Sequence, residues 1–188
     1  MRVAIVHLNC CIRAVKQARA LKTLGLDVKA FTFNEKAWMM KPWVETASME
    51  QGEPYSTMLD MVADFKPDII HVHNEPDKPA LACIEGGIAP VIWDLHDMRS
   101  MRMKEEGQKE ARIIEGCAGL VHVSEPIRQY CLNRYKHKCP SIVVWSAVNS
   151  EDYQPLQIEA KDMSLVYQGG YYGDEQSIGP RGGYRLFD

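Results

Sequence analysis

An alternation runs through most of this chain and limits what it can fold into. Short apolar runs of strand length are separated, one after another, by stretches with helical spacing. The runs are Arg2–His7 (RVAIVH), Asp27–Phe33 (DVKAFTF), Asp68–His73 (DIIHVH), Pro90–Leu95 (PVIWDL), Leu120–Ser124 (LVHVS) and Ile142–Trp145 (IVVW). Between them the spacing predicts helices over Ile12–Leu24, Tyr55–Phe65, Lys78–Glu85, Met98–Cys117 and Pro126–Tyr135. Gly25, Lys66-Pro67 and Gly86-Gly87 supply natural helix stops. The stretch Asn34–Pro54 has no clear period and reads as a loop with one short helix. Strand and helix in strict turn select an open, mostly parallel α/β sheet with helices on both faces. Its connections are expected to be right-handed crossovers.

The pattern changes after Trp145. Residues 1–150 read as one domain and 151–162 as a polar linker. Residues 163–188 read as the opening of a second α/β unit: a strand at Met163–Gln168, the glycines Gly169 and Gly170, and the start of a helix. A piece of that size cannot bury a core of its own. The expectation is therefore a longer natural chain, or a truncated relative of a two-domain protein. Hydrophobic residues make up 46% and charged residues 25%, enough of each for a soluble domain with a full core, which excludes disorder. A net charge of −3 supplies no field to recruit nucleic acid or anionic lipid. The N-terminus reads as a strand and not as a signal peptide. The six cysteines then read as reduced, mostly buried thiols of a cytoplasmic protein, and with no C-x-x-C pair they show neither zinc-ribbon nor thioredoxin-type spacing.

Ligands of open parallel sheets bind outside the carboxyl ends of the strands, so the residues just past each strand are the candidates. They are Asn9, then Asn74 and Glu75, His96 and Asp97, Ser124, and Gly169 with Gly170. A histidine such as His96 can act as a base or hydrogen-bond donor with the Asp97 carboxylate orienting it. Equally, Asp97 caps the helix that follows and His96 packs. His71 and His73 share one strand face, but nothing supplies a strongly placed third ligand for a metal. Gly169-Gly170 allows close approach to a phosphate, though a tight turn explains it as well. The G-x-G-x-x-G fingerprint is missing after the first strand, which counts against a dinucleotide-binding enzyme. The basic, methionine-containing segment from Met98 is diluted by glutamates and reads as a solvated helix face.

In order, these segments resemble the amino-terminal, Rossmann-like half of GT-B glycosyltransferases of the group 1 or family 4 type. The strand Lys66–Asn74 (KPDIIHVHN) is similar to the family's "KPDiiHvHn", and Val91–Asp97 to its "v...HD" strand end. Gly119–Ser124 is similar to "ad.vi.vS", Val143–Pro155 to the hinge, and Ser164–Gly170 to the first strand of the donor domain. At the hinge, Ser146, Ala147 and Asn149 stand where Asn, Gly and Asp are usual. The resemblance implies transfer of a sugar from a nucleotide-diphosphate donor to an acceptor hydroxyl in glycan or polysaccharide biosynthesis. It implies no catalytic metal or cofactor beyond that co-substrate, and it leans toward retention at the anomeric carbon. His96 would line the reaction centre with Asp97 supporting it. Asn9, Asn74, Glu75 and Ser124 would shape the acceptor side, and Gly169 and Gly170 would approach the donor phosphates. A lipid-linked acceptor would add peripheral contact with the inner membrane face. The alternatives are an inactive single-domain binding protein, the acceptor-side subunit of a two-chain transferase, and an unrelated flavodoxin-like module.

Overall fold

The computed structural model describes residues 1–74, 76–101, 103 and 106–147, and the backbone of two short strands at 166–167 and 184–185. Residues 1–147 form one compact unit and 148–188 a second.

In the first unit the alternation expected from the sequence is present. The strands are β1 (Arg2–Val6), β2 (Asp27–Phe33), β3 (Glu45–Met49), β4 (Ile69–His73), β5 (Val91–Leu95), β6 (Gly119–His122) and β7 (Ser141–Val143). The helices are α1 (Ile12–Thr23), α2 (Ala37–Met40), α3 (Tyr55–Phe65), α4 (Lys78–Gly86), α5 (Gly107–Gly116) and α6 (Glu125–Tyr135). All seven strands pair in parallel in the order β3-β2-β1-β4-β5-β6-β7. The order reverses between β1 and β4, and a doubly wound sheet opens its binding crevice at that point.

The register decides what each face carries. Ile70 pairs with Val91 and Val72 with Trp93, and these join Phe31, Leu95 and Leu120 in the larger core under α3, α4, α5 and α6. The opposite face is covered by α1 and α2, through Ala14, Val15, Ala18 and Met40 packed on Val3, Ile5, Val28 and Ala30. On that second face His73 pairs with Asp94, and His71 with Ile92. Polar side chains are therefore built into the interior beside α1.

Three expectations need correction. The span Asn34–Pro54 holds a strand as well as a helix: β3 pairs with β2, from Lys29 opposite Glu45 to Phe33 opposite Met49. It is an edge strand with only Met49 buried, so no alternation betrays it. The helix expected over Met98–Cys117 is instead a 3₁₀ turn at Arg99–Met101 and α5 from Gly107. The turn is held from within, because the buried Glu110 accepts the Ser100 amide at 2.9 Å and the Tyr135 hydroxyl at 2.7 Å. Finally, the buried face of α1 is rotated from the expected stripe. Ile12 is 62% and Leu24 75% exposed, while Arg13 is inside.

In the second unit the backbone of β8 (Val166–Tyr167) lies within the strand expected at Met163–Gln168 and pairs antiparallel with β9 (Tyr184–Arg185). Gly169, Gly170 and the linker lie outside the described residues, as does Glu75.

Candidate functional site

A cleft of about 640 Å³ opens beyond the carboxyl ends of the central strands. His7 and Asn9 follow β1, Cys11 leads into α1, and Pro76 follows β4. His96, Asp97, Arg99 and Met103 come from the segment after β5. Four of the five strand-end segments singled out in the sequence are described, and three of them converge here. Ser124 does not line this cleft; it stands at the N-cap of α6 without a side-chain cap bond.

The centre of the charge system is Asp94, which the sequence reading passed over. It is fully buried on β5. Arg13 of α1 reaches it with Nε at 2.9 Å from Oδ1 and Nη2 at 3.0 Å from Oδ2. Gln17, one helical turn on, donates to Oδ2 at 2.7 Å. The His96 Nδ1 lies 3.2 Å from Oδ1, and His71 Nε2 and His73 Nδ1 stand at 3.8 and 3.9 Å. Burial would raise the Asp94 pKa, but the neighbouring imidazoles of His71, His96 and His73 and the Arg13 guanidinium outweigh it and hold the carboxyl well below its usual range. Asp94 is an anion.

That fixes the tautomer of His96. A carboxylate only accepts hydrogen bonds, so Nδ1 carries a proton, and in the neutral ring the lone pair is on Nε2. The carboxylate on this ring is the one two residues upstream, not the neighbouring Asp97, whose side chain is exposed at the rim. His71 and His73 do meet a third ligand-type group, the Asp94 carboxylate, contrary to the expectation from their strand alone. His73 stacks on His71 at 5.0 Å and on His7 at 5.2 Å, with His96 6.1 Å away. Burial, then the neighbouring His71, keep the His73 pKa well below the usual histidine value.

Asn74 is buried completely and serves the backbone. Its Oδ1 accepts the amides of His96 at 3.2 Å and Asp97 at 3.4 Å, and its Nδ2 donates to the Asp97 carbonyl. It thus holds the loop that presents His96. Asn9 is exposed at the cleft wall, open to a ligand. Arg13 spans from Asp94 to the chain leaving β7, donating from Nη1 to the Val144 carbonyl at 2.8 Å and Ser146 Oγ at 3.2 Å. The six cysteines are free thiols, four of them buried.

No family model and no curated protein matches the sequence. Solved structures do. Sucrose-phosphate synthase from Thermosynechococcus elongatus superposes with a TM-score of 0.61 at 13% identity, over 82% of this chain and 50% of that one. HepE from Anabaena, solved with UDP and glucose, gives a TM-score of 0.63 at 9% identity, over 84% and 47%. Arabidopsis thaliana UGT89C1, solved with UDP-L-rhamnose, gives 0.53 at 12% identity, over 74% and 50%. The chain spans about half the length of these proteins. What they share is a fold, the Rossmann-like α/β domain of GT-B glycosyltransferases.

Proposed function

We propose that this chain is the acceptor-side part of a glycosyltransferase, which moves a sugar from a nucleotide-diphosphate donor to an acceptor hydroxyl in glycan or polysaccharide assembly. The observation that carries the reading is His96, held by an ionised Asp94 and opening on a cleft at the switch point of a GT-B-type sheet. In this reading the acceptor hydroxyl donates to His96 Nε2. As the hydroxyl oxygen bonds to the anomeric carbon, its proton passes to Nε2. The bond from that carbon to the diphosphate oxygen breaks, and the electron pair leaves with the nucleotide. Asp94 stabilises the imidazolium that forms, the part the sequence reading gave to Asp97.

Asp97 and Asn9 then hold polar groups of the acceptor at the rim, with Arg99 beside them. The family resemblance assigns Glu75 and Ser124 to the acceptor and Gly169 and Gly170 to the donor phosphates. It also assigns no metal to the reaction, the leaving diphosphate being neutralised by helix N-termini and basic side chains. Among the described residues no helix is long and apolar enough to cross a membrane, so a lipid-linked acceptor would be met from the surface.

UDP release from a panel of UDP-sugars by the protein at its natural length tests this. His96→Gln is expected to lower turnover roughly 100-fold or more, the usual contribution of a positioned acid or base. Turnover within about twofold of the parent removes His96 from the reaction. The product anomer gives a second reading. A base on the acceptor serves inversion, against the retention toward which the family resemblance leans, and a retained product with an unchanged pH profile in His96→Gln would restrict His96 to binding. A protein that binds glycan and turns over no donor alone is the subunit or binding protein set out as the alternative.

A further inference from the structure

A second cluster of ligand-type side chains lies away from the cleft, beneath α6. His122 ends β6, Cys131 sits within α6, and His137 lies in the loop leading to β7. Their ligand atoms lie within 4.8 Å of one another. His122 and Cys131 are both 0% exposed. Both ring nitrogens of His122 and Nε2 of His137 are buried without a hydrogen-bond partner. Buried polar atoms are almost always partnered, so orphaned nitrogens gathered beside a thiol call for an occupant that takes lone pairs.

The orientation of His137 points the same way. Its Nδ1 is 3.2 Å from the Cys139 carbonyl oxygen. A carbonyl only accepts, so the tautomer with hydrogen on Nδ1 satisfies this contact, with the Cys139 Sγ at 3.5 Å from the same nitrogen, and leaves the lone pair on the orphaned Nε2. A ring fixed through Nδ1–H on a backbone carbonyl is the arrangement that orients histidines at metal centres.

We propose that His122, Cys131 and His137 form a site for a thiophilic divalent cation, zinc by preference, with water in the fourth position. Two imidazoles and one thiolate suit zinc in both softness and coordination number. Zinc–nitrogen bonds of 2.0–2.1 Å and a zinc–sulfur bond of 2.3 Å put tetrahedral ligand atoms about 3.3–3.6 Å apart. From separations of up to 4.8 Å, the cluster needs to tighten by at most about 1.2–1.5 Å to reach that spacing. The Cys131 thiol gives its proton to water as the sulfur–metal bond forms. Of the three, His137 lines a groove of about 460 Å³ together with Tyr135 and Cys139. Lys136 and Lys138 on the same groove oppose a cation by charge, with Glu115 beside them, so the affinity has to come from the ligands themselves. Bound metal would pin α6 and the loop after it to β6. The other histidine-rich groups, His7–Cys11–His73 and His71–His73–Asp94, belong to the cleft already described.

Titration of the metal-stripped full chain with Co²⁺ as a spectroscopic stand-in tests the site. One equivalent is expected to give a thiolate-to-cobalt charge-transfer band and four-coordinate visible absorption. Cys131→Ser removes the band, His137→Gln weakens binding about tenfold or more, and Cys11→Ser keeps both. Zn²⁺ should raise the Tm of the parent and leave that of Cys131→Ser unmoved. No band in the parent, a band that survives Cys131→Ser, or one lost in Cys11→Ser overturns the assignment. A circular dichroism spectrum matching the parent shows that each variant is folded.

Discussion

At the scale of single residues the interior is organised by one anion. Asp94 and Arg13 have side chains 0% and 7% exposed, so each depends on the other. Removing one partner of such a buried pair leaves an uncompensated charge and costs about 3–5 kcal/mol. Arg13→Met is therefore expected to lower the urea midpoint by that equivalent, and a loss under about 1 kcal/mol would mean the pair is not needed. Acid acts through the histidines before it reaches this carboxylate. His73 has its pKa lowered in the folded state and is faced by His71, His7, His96, Asp94 and Cys11. Below about pH 6.5 the unfolded chain takes up a proton at this residue that the folded chain refuses, so stability falls as pH falls, by up to about 1.4 kcal/mol per unit. Asp94 has the opposite starting charge. Its contribution is present above the ordinary carboxyl pKa and is lost only far below it, outside the His73 window. The slope of stability between pH 6.5 and 5 should thus be shallower in His73→Gln than in the parent. An unchanged slope would remove His73 as its source. His96 was legible in the sequence because it ends a strand. Asp94 was not, because it sits within an apolar run that reads as strand, and its partner lies 81 residues away. The available signal was physical: a carboxylate within a buried strand, here at the register of His73, requires a cation.

At the scale of elements, what the sequence disclosed follows from how each helix and strand is specified. Runs such as IIHVH and VIWDL announce themselves by β-branched and aromatic residues. The strand ETASM of β3 is specified by its neighbour β2 instead, and no local pattern marks it. Helix ends divide the same way. Gly87 closes α4 at φ +61° and was readable as a stop. Lys66 closes α3 in the same left-handed region at φ 51°, where a side chain is strained. The two positions give opposite expectations. Gly87→Ala should lower stability by about 1 kcal/mol although no atom lies within 4 Å of the new Cβ, because the backbone alone is strained. Lys66→Gly should raise stability by up to about 1 kcal/mol, since relief of the left-handed conformation exceeds the added freedom of the unfolded chain. Thermal melts of both variants check the pair. A stabilising Gly87→Ala would contradict the cap geometry. The 3₁₀ turn at Arg99–Met101 was hidden for a different reason: the polar residue that sets it, Glu110, reads as solvated until Tyr135 and Ser100 enclose it.

At the scale of the whole molecule, alternation alone places the site, because a parallel sheet that reverses its order between β1 and β4 gathers their carboxyl ends in one crevice. The sequence therefore disclosed which segments meet, and left open which atoms they exchange. The closing of this unit is an example. Its sheet ends at β7, yet the bonds of α1 reach past it, from Arg13 to Val144 and Ser146 and from Lys16 Nζ to the Ala147 carbonyl at 2.6 Å. Those four residues, 144–147, tie the start of the first helix to the end of the last strand, and they complete the coordination of the guanidinium that neutralises Asp94. A chain ended at Ala147 contains every residue of both cores. It is expected to unfold in a single cooperative transition. A chain ended at Val143 keeps the same cores and all seven strands but leaves the buried Arg13 Nη1 without its acceptors. Hydrogen bonds to a charged group contribute about 1.5–3 kcal/mol, so the shorter chain should be less stable by that amount, with nearly the same dependence on urea concentration. The unchanged slope matters as much as the shifted midpoint, since it shows that the same core is being exposed. Equal midpoints for the two chains would mean that the segment after β7 merely lies against α1. A lower midpoint in the shorter chain that Arg13→Met abolishes would assign the difference to the guanidinium itself.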